Sequence, residues 1–247
     1  MEKLFSKIFG DEKIVVITGA GISTLSGLSD FRGNNGLYKK YANADYKLSL
    51  ECLLEEPDVF YEFYKNNLIS YDLEPNIVHY MLAEFEELGY IDYIITQNID
   101  GLHQKAGSKN VVELHGNGDT FYCNRCKKKY DIYNYLNTGY ICRDCGGIIR
   151  PDIVLYGEFI KQHNRFLALE KLLKADTVLI LGSSLTVTTI SNLLNEYIKY
   201  KKIEFNSHNL IIINENETCY DNYGLTYSEN LEKVFKKIKK YSERSDN

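Results

Sequence analysis

The chain has 247 residues, 44% of them hydrophobic, so it can bury a sizeable core in one large domain with or without a small satellite. Its 29 basic and 34 acidic residues leave a net charge of -5, and no overall positive field exists to attract nucleic acid or anionic lipid. No run of about eighteen apolar residues occurs, and residues 1–9 lack an apolar core of signal-peptide length. We therefore expect a globular protein that binds neither nucleic acid nor a membrane.

Short apolar strands alternate with helical segments along most of the chain. The pattern predicts strands at 13–18, 91–96, 177–181 and 210–213. It predicts helices at 75–88, where Pro75 suits the first helical position, and at 161–173, 187–200 and 230–241. Alternation of this kind implies an α/β fold, a Rossmann-like parallel sheet with helices on both faces.

Two segments break the alternation and are predicted to be insertions. Residues 37–70 are rich in Tyr and Phe at helical spacing, and residues 120–149 form a cysteine hairpin. We expect the two to pack together as a small domain, made of a zinc ribbon and a helical insertion. The Rossmann-like domain then consists of residues 1–36, 71–119 and 150–247.

The cysteine hairpin carries the strongest local signal. Its spacing, C-x2-C-x15-C-x2-C, brings two thiolate pairs together as tetrahedral zinc requires. Four thiolates leave no open position for water or substrate, so we expect one structural zinc ion rather than a catalytic one. Metal-bound thiolates also suit a reducing compartment, which favours the cytoplasm. The expected ligands are Cys123, Cys126, Cys142 and Cys145.

The first predicted strand runs into Gly19, Ala20 and Gly21, a tight turn that we expect to lead into a helix. The two glycines match the start of a dinucleotide fingerprint, because they let backbone N–H groups approach a pyrophosphate at a helix N-terminus. Thr24 stands where the third glycine belongs, and glycines after a strand are also ordinary turn residues. On this segment alone the two interpretations are about equally good.

Polar residues follow the second strand, at the carboxyl end where open α/β sheets bind ligands. Gln97, Asn98 and Asp100 should therefore point into the crevice. The alternative is that Asn98 and Asp100 only cap a helix beginning near Gly101, although three polar residues exceed what one cap requires. His115 follows another strand-like run. A lone histidine is usually structural, yet an ordinary imidazole pKa near 6.5 also suits a general base.

Longer motifs surround these residues. They are SGLSDFRG at 26–33, QNID at 97–100 and ELHG at 113–116, with GLH at 101–103, RPD at 150–152, YGE at 156–158 and GSSL at 182–185. Together with the cysteine hairpin, they resemble the sirtuin family of NAD-dependent protein deacylases. The resemblance runs from about residue 13 to residue 214, which is most of the chain.

The resemblance implies that NAD is consumed as a co-substrate and assigns a role to several residues. Asn98 and Asp100 would hold the nicotinamide carboxamide and position a water, while Gln97 would contact the ribose. His115 would deprotonate a ribose hydroxyl, and Phe31 would shield the anomeric carbon. The implied NAD contacts are Gly19, Ala20, Gly21, Ser23, Phe31, Arg32, Gln97, Asn98, Ile99, Asp100, His115, Gly182, Ser183, Ser184 and Asn214.

The resemblance also implies that the substrate is an acylated lysine of a protein or peptide, which enters a channel between the two domains. The acyl group would pass from lysine to ADP-ribose with release of nicotinamide, and the catalytic residues would be His115, Asn98 and Asp100. The peptide backbone would pair with extended chain at Val154, Leu155, Tyr156, Gly157 and Glu158.

Two other functions stay open at this point. ADP-ribosyl transfer or NAD hydrolysis would use the same pocket, and a zinc-ribbon binding module without catalysis would require His115, Asn98 and Asp100 to be incidental. The peptide-pairing segment favours deacylation. The sequence does not determine the oligomeric state, and we expect a monomer.

One departure from the family bears on the acyl group. The desuccinylase subgroup carries a Tyr and, three residues later, an Arg that grip a dicarboxylate tail. Here Tyr64 is present but Asn67 stands in place of the Arg. An amide cannot neutralise a buried carboxylate, so we do not expect a succinyl or malonyl preference.

Overall fold

The computed structural model describes residues 1–29, 36–69 and 72–245, which contain nine strands and eleven α-helices. The strands are β1 (Ile14–Thr18), β2 (Tyr93–Thr96), β3 (Val111–Glu113), β4 (Gly116–Cys123), β5 (Lys129–Asp131), β6 (Ile149–Ile153), β7 (Thr177–Leu181), β8 (Leu210–Ile213) and β9 (Leu225–Tyr227). The helices are α1 (Glu2–Ile8), α2 (Leu37–Lys40), α3 (Ala44–Lys47), α4 (Leu50–Glu55), α5 (Pro57–Asn67), α6 (Ile77–Glu87), α7 (Leu102–Lys105), α8 (Ile132–Thr138), α9 (Gln162–Lys174), α10 (Thr188–Lys201) and α11 (Leu231–Ser245).

Six strands form one parallel sheet in the order β3-β2-β1-β7-β8-β9. The chain leaves β1 towards β2 and β3 on one side and later returns to build β7, β8 and β9 on the other. The strand order therefore reverses between β1 and β7, and in sheets of this type ligands bind outside the carboxyl ends of the strands at this point, the place we call the crevice. The predicted Rossmann-like parallel sheet is confirmed.

Apolar residues of the central strands alternate between the two faces of this sheet. Ile14 and Val16 pack with the apolar stripes of α1, α6 and α11, whereas Val15 and Ile17 pack with those of α9 and α10. Every residue of β1 is buried. Both faces of the sheet are thus covered by helices, which explains why its strands read as unbroken apolar runs. No helix in the described ranges is long and apolar enough to cross a bilayer.

A second, antiparallel sheet has the strand order β5-β4-β6. Its apolar residues share a third core with α2, α4, α5 and α8, so the two predicted insertions do pack against each other. Aromatic rings fill this core, with Phe121 stacked on Tyr135 at 4.3 Å between ring centroids. The sheet is longer than the predicted ribbon at 120–149, because β4 begins at Gly116 and β6 ends at Ile153.

The structure corrects two predicted helix starts. Helix α6 begins at Ile77, and Pro75 lies outside it, because Asn76 is the N-cap and its side chain accepts a hydrogen bond from the Val78 N–H at 3.0 Å. Within residues 19–29, which the structure describes, no α-helix follows the glycine turn after β1. Two short 3₁₀ turns, Ala20–Ile22 and Thr24–Ser26, stand there instead.

Two buried histidines lie against each other beside the central strand. The His103 Nε2 atom is 2.9 Å from the Thr18 hydroxyl, and the His79 Nδ1 atom accepts a hydrogen bond from the Asn76 N–H at 3.4 Å. Their ring centroids are 4.9 Å apart. Burial lowers the pKa of His79 from 6.5 to about 4 and, with the neighbouring His79 contributing, that of His103 from 6.5 to about 3.

These low pKa values predict that the fold loses stability as the pH falls below 6.5, because the unfolded chain then takes up protons that the folded chain refuses. The loss grows until the pH approaches the folded-state values, and at pH 5 it is on the order of 2 kcal/mol per histidine. Urea unfolding at about pH 7 and pH 5 measures it. The double variant His79→Asn, His103→Gln places an amide atom where each histidine nitrogen makes its hydrogen bond, and it has no titrating group there. Its stability should therefore fall less between pH 7 and pH 5.

The exposed His163→Gln is the matched control and should lose as much stability as the wild type. Equal acid sensitivity in the double variant and the wild type would contradict this assignment.

Candidate active site

The crevice at the switch point is formed by two loops that touch. The loop after β1 carries Gly19 and Gly21, and the loop after β7 carries Gly182, whose carbonyl accepts a hydrogen bond from the Gly21 N–H at 2.9 Å. A Cβ atom added to Gly19 or Gly21 would lie 2.8 Å from Gly182 atoms. These glycines are therefore needed for the contact between the loops, and the Gly21 N–H is already bonded within the protein.

A buried hydroxyl, amide and carboxylate form one hydrogen-bonded group at the base of the crevice. The Asn98 side-chain amide donates to the Gly19 carbonyl at 3.1 Å and to the Ser23 hydroxyl at 3.0 Å. The Ser23 hydroxyl in turn donates to the Asp100 carboxylate at 2.7 Å. Burial raises the pKa of Asp100, and the hydrogen bonds from Ser23 and Leu102 partly offset that rise. We call Ser23, Asn98 and Asp100 the polar triad.

The alternative role of Asp100 as a helix cap also holds. Its second carboxylate oxygen accepts the Leu102 N–H at 3.0 Å, at the start of α7. The Asn98 side chain does not cap α7, because its amide donates both of its hydrogen bonds to the loop after β1. Asp100 is therefore both a cap and a member of the triad, whereas Asn98 joins the loop after β2 to the loop after β1.

His115 lies between β3 and β4 with a defined orientation. Its Nδ1 atom is 2.9 Å from the Gln97 carbonyl, and since a carbonyl only accepts, the Nδ1 atom must carry the proton. The Nε2 atom then keeps its lone pair. Burial lowers the pKa of His115, and the hydrogen bond to Gln97 opposes that shift. The imidazole is thus neutral near pH 7 and can accept a proton.

Side chains from the neighbouring strands complete this edge of the sheet. The Gln97 side-chain amide donates to the Ser183 hydroxyl at 2.8 Å, which joins the loops after β2 and β7. The exposed Ser184 hydroxyl is 2.9 Å from that of Thr186. Asn214 follows β8 and donates from its side chain to the Asn216 carbonyl at 2.7 Å.

The remaining implied NAD contacts are placed as follows. The Ile99 carbonyl accepts the Gly118 N–H at 2.8 Å, and the Ile99 side chain packs on the third core. Ala20 lies in the first 3₁₀ turn. Phe31 and Arg32 fall outside the described residues.

The segment predicted to pair with substrate is held from several sides. The Val154 N–H donates to the His115 carbonyl at 2.9 Å. The Tyr156 N–H donates to the Leu48 carbonyl at 3.0 Å, and the Tyr156 carbonyl accepts the Leu50 N–H at 2.9 Å. The segment therefore connects His115 to the helical insertion, with both backbone groups of Tyr156 engaged.

The arginine of the RPD motif has a structural role that the sequence alone does not indicate. Arg150 is 4% exposed and donates through both terminal nitrogens to the Glu158 carboxylate, at 2.6 and 2.7 Å. That carboxylate also accepts the Leu155 N–H at 2.9 Å. Glu158, predicted to bind substrate, thus has its side chain bonded inside the segment. Because Arg150 and Glu158 lie eight positions apart in the sequence, no local pattern predicted that they would pair.

The four hairpin cysteines converge on one point. Their sulfur atoms all lie within 4.8 Å of one another, with 3.5 Å between Cys123 and Cys145 and 3.7 Å between Cys126 and Cys142. Tetrahedral zinc with bonds of about 2.3 Å sets its sulfurs about 3.8 Å apart, so the donor set and spacing fit one structural zinc ion. Gly147 is required here, because a Cβ atom would lie 2.8 Å from the Cys123 sulfur.

Comparison with known proteins agrees with this geometry. A model of the Sir2 family matches residues 19–189. The chain belongs to the Sir2 family. The similarity to curated sirtuins extends over most of both chains. A protein of Staphylococcus epidermidis named NAD-dependent protein deacetylase is 41% identical over 227 residues, which cover 90% of this chain and 89% of that protein. A protein of Saccharolobus solfataricus with the same name is 45% identical over 89% of this chain and 87% of that protein.

Solved sirtuin structures share the whole fold. A Sir2 structure with a deacetylated peptide and 3′-O-acetyl ADP-ribose superposes with a TM-score of 0.90, at 35% identity over 98% of both chains. A Sir2 structure bound to an acetylated peptide gives a TM-score of 0.86, at 34% identity and the same coverage. The resemblance to sirtuins inferred from the sequence motifs is confirmed.

Replacing one zinc ligand of this sirtuin should destabilise its second sheet, because three thiolates no longer complete the tetrahedron. We expect Cys126→Ser to lower zinc content and to lower the Tm by roughly 10 °C. Metal analysis and thermal unfolding measure both effects. The exposed Cys219→Ser is the matched control and should change neither. A chelated, zinc-free protein that keeps its fold and its NAD turnover would overturn the structural role.

Proposed function

We propose that this chain is an NAD-dependent protein-lysine deacetylase, or deacylase, which transfers the acyl group from lysine to ADP-ribose and releases nicotinamide. One observation carries the proposal. A neutral imidazole, oriented by the Gln97 carbonyl, stands at the same sheet edge as the polar triad, in a chain 41–45% identical to proteins named NAD-dependent protein deacetylase.

NAD, when bound, supplies an anomeric carbon with nicotinamide as its leaving group. The crevice fits such a ligand, since it offers a buried amide in Asn98, a carboxylate in Asp100 and hydroxyls from the loop after β7. Asn98 and Asp100 hold the carboxamide end of the ligand and orient a water. Because the polar triad is already hydrogen-bonded, these groups are in position before the ligand arrives.

His115 acts as the general base of the reaction. Its Nε2 lone pair accepts a proton from a ribose hydroxyl, while the Gln97 carbonyl keeps the ring in one tautomer and orientation. Burial lowers its pKa, which keeps the imidazole in the basic form at neutral pH. His115 also fixes the start of the substrate segment, because its carbonyl accepts the Val154 N–H.

The acylated peptide binds along residues 154–158 and the remaining implied contacts complete the NAD site.

We further propose that the chain divides into the Rossmann-like domain and the small domain at the boundaries given above, and that the protein acts as a monomer in the cytoplasm. The zinc-thiolate set supports the reducing location. ADP-ribosyl transfer or NAD hydrolysis is the competing function for this pocket, and the peptide segment favours deacylation over both.

Replacing the proposed base should abolish acyl transfer. We expect His115→Ala to lower kcat/KM for an acetyl-lysine peptide by about 100-fold or more, because proton abstraction from the ribose hydroxyl is lost. Mass spectrometry of nicotinamide, free lysine peptide and acyl-ADP-ribose measures it. His163→Ala, at an exposed position on α9, is the matched control and should keep full activity. Nicotinamide release by the wild type without peptide deacylation would instead identify a transferase or hydrolase.

The structure supports the expectation on acyl groups. Tyr64 is fully buried and its hydroxyl donates to the Gly118 carbonyl at 3.1 Å. The Asn67 side-chain amide donates to the Phe63 carbonyl at 2.9 Å, within its own helix. Neither group is positioned to neutralise a carboxylate, and an unpaired buried charge is costly.

We therefore expect a strong preference for neutral acyl groups. The wild type should deacylate an acetyl-lysine peptide with a kcat/KM about 100-fold above that for the succinyl-lysine peptide of the same sequence. Peptide chromatography with both substrates at equal NAD concentration measures the ratio. A desuccinylase activity equal to the deacetylase activity would refute the expectation.

A further inference from the structure

One aromatic side chain stands out from the surface of the described chain. Phe159 is 97% exposed, whereas the other exposed large hydrophobic side chains are between 37% and 67% exposed. Single exposed apolar residues are ordinary in soluble proteins. What distinguishes Phe159 is its position, because it directly follows the segment proposed to pair with the acylated peptide.

The backbone on the N-terminal side of Phe159 is fixed. The Glu158 N–H donates to the Leu155 carbonyl at 3.0 Å, and the Glu158 carboxylate is bonded by Arg150 and by the Leu155 N–H. A two-pronged pairing of a guanidinium with a carboxylate has a strict geometry. Gly157 makes the turn just before it with a φ of +87°.

The backbone on the C-terminal side is also held. Ile160 packs on the core between the sheet and α9, and α9 begins at Gln162. The Phe159 ring is therefore presented from an anchored stretch of chain rather than from a loose loop. An aromatic side chain has few rotatable bonds, so on a held backbone it adds contact area with little loss of conformational entropy on binding.

The charges around Phe159 indicate what it would contact. The Glu158 carboxylate is neutralised by Arg150, and the Asp152 carboxylate by Lys161 at 2.7 Å. With both carboxylates paired, neither leaves an uncompensated charge on this stretch of chain that would favour a charged partner over an apolar one. The half-exposed Tyr156, three residues earlier, adds a second aromatic side chain to the same segment.

We propose that Phe159 is a specificity-determining residue that packs on an apolar side chain flanking the acylated lysine of the substrate. The proposal deepens the function proposed above and rests on it. The chemistry selected is aliphatic or aromatic, at a substrate position within a few residues of the lysine, because Phe159 lies one residue beyond the pairing segment.

The test compares acetyl-lysine peptides that carry either Leu or Ser at each of the two positions before and after the lysine. For the wild type, Leu at one of these positions should lower the peptide KM, and the peptide Kd measured by calorimetry without NAD, by about tenfold. In Phe159→Ser this preference should disappear, with kcat and the KM for NAD unchanged. Phe159→Leu should retain most of it.

The matched control is Phe205→Ser, an aromatic side chain 67% exposed that precedes the amino end of β8, at the opposite edge of the sheet from the crevice. It should keep the wild-type preference. Both variants change exposed residues, and thermal unfolding verifies that they fold.

A wild type that deacetylates Leu and Ser peptides equally at all four positions would overturn the proposal. So would an equal loss of affinity for both peptide sets in Phe159→Ser. If the wild type neither binds nor deacetylates any of these peptides, the deacetylase function itself fails and the role of Phe159 fails with it.

Discussion

The antiparallel pairing of β4 with β6 is the constraint on which the rest of the site depends. At one end of this ladder Cys123 pairs with Ile149, and at the other Gly116 pairs with Ile153. His115 immediately precedes Gly116, so one pair of strands joins the cysteine cluster to the proposed base. Gly116 has a φ of +85°, and a Cβ atom there would lie 2.1 Å from the Asp152 carbonyl oxygen. The close approach of the two strands at the end beside His115 thus requires glycine.

This connection predicts that a structural zinc ion, which has no proposed role in the chemistry, affects the position of the proposed base. The same strand β6 carries Arg150, which fixes the segment from Leu155 to Glu158 through the Glu158 carboxylate. A structural metal would stabilise the folded hairpin at which β4 ends and β6 begins. The position of the proposed base and the shape of the substrate segment therefore share one mechanical support, and the parallel sheet supplies the other half of the crevice.

Polar groups in the crevice are satisfied mainly by one another. Ser23, Asn98 and Asp100 come from loops 75 to 77 positions apart, yet each is buried and hydrogen-bonded within the group. A buried network of this kind is costly if any partner is missing, so it specifies a single arrangement of the two loops. That arrangement holds the amide and the carboxylate in place before any ligand binds, which is the condition for electrostatic preorganisation.

The sequence by itself determined the strands with a strong local pattern and the four cysteines whose fixed spacing forms the zinc-binding set. Strands 177–181 and 210–213 were predicted at their observed limits, because short apolar runs rich in β-branched residues and bounded by polar or glycine residues have few alternatives. The cysteine spacing predicted the cluster because each turn is local.

Only the tertiary structure decided what Gly21 does. Its local pattern suggested a phosphate contact before a helix, whereas packing against Gly182 uses its N–H and 3₁₀ turns follow. The tautomer of His115, the bond of Arg150 to Glu158 and the exposure of Phe159 likewise depend on contacts between distant segments, which no local pattern encodes.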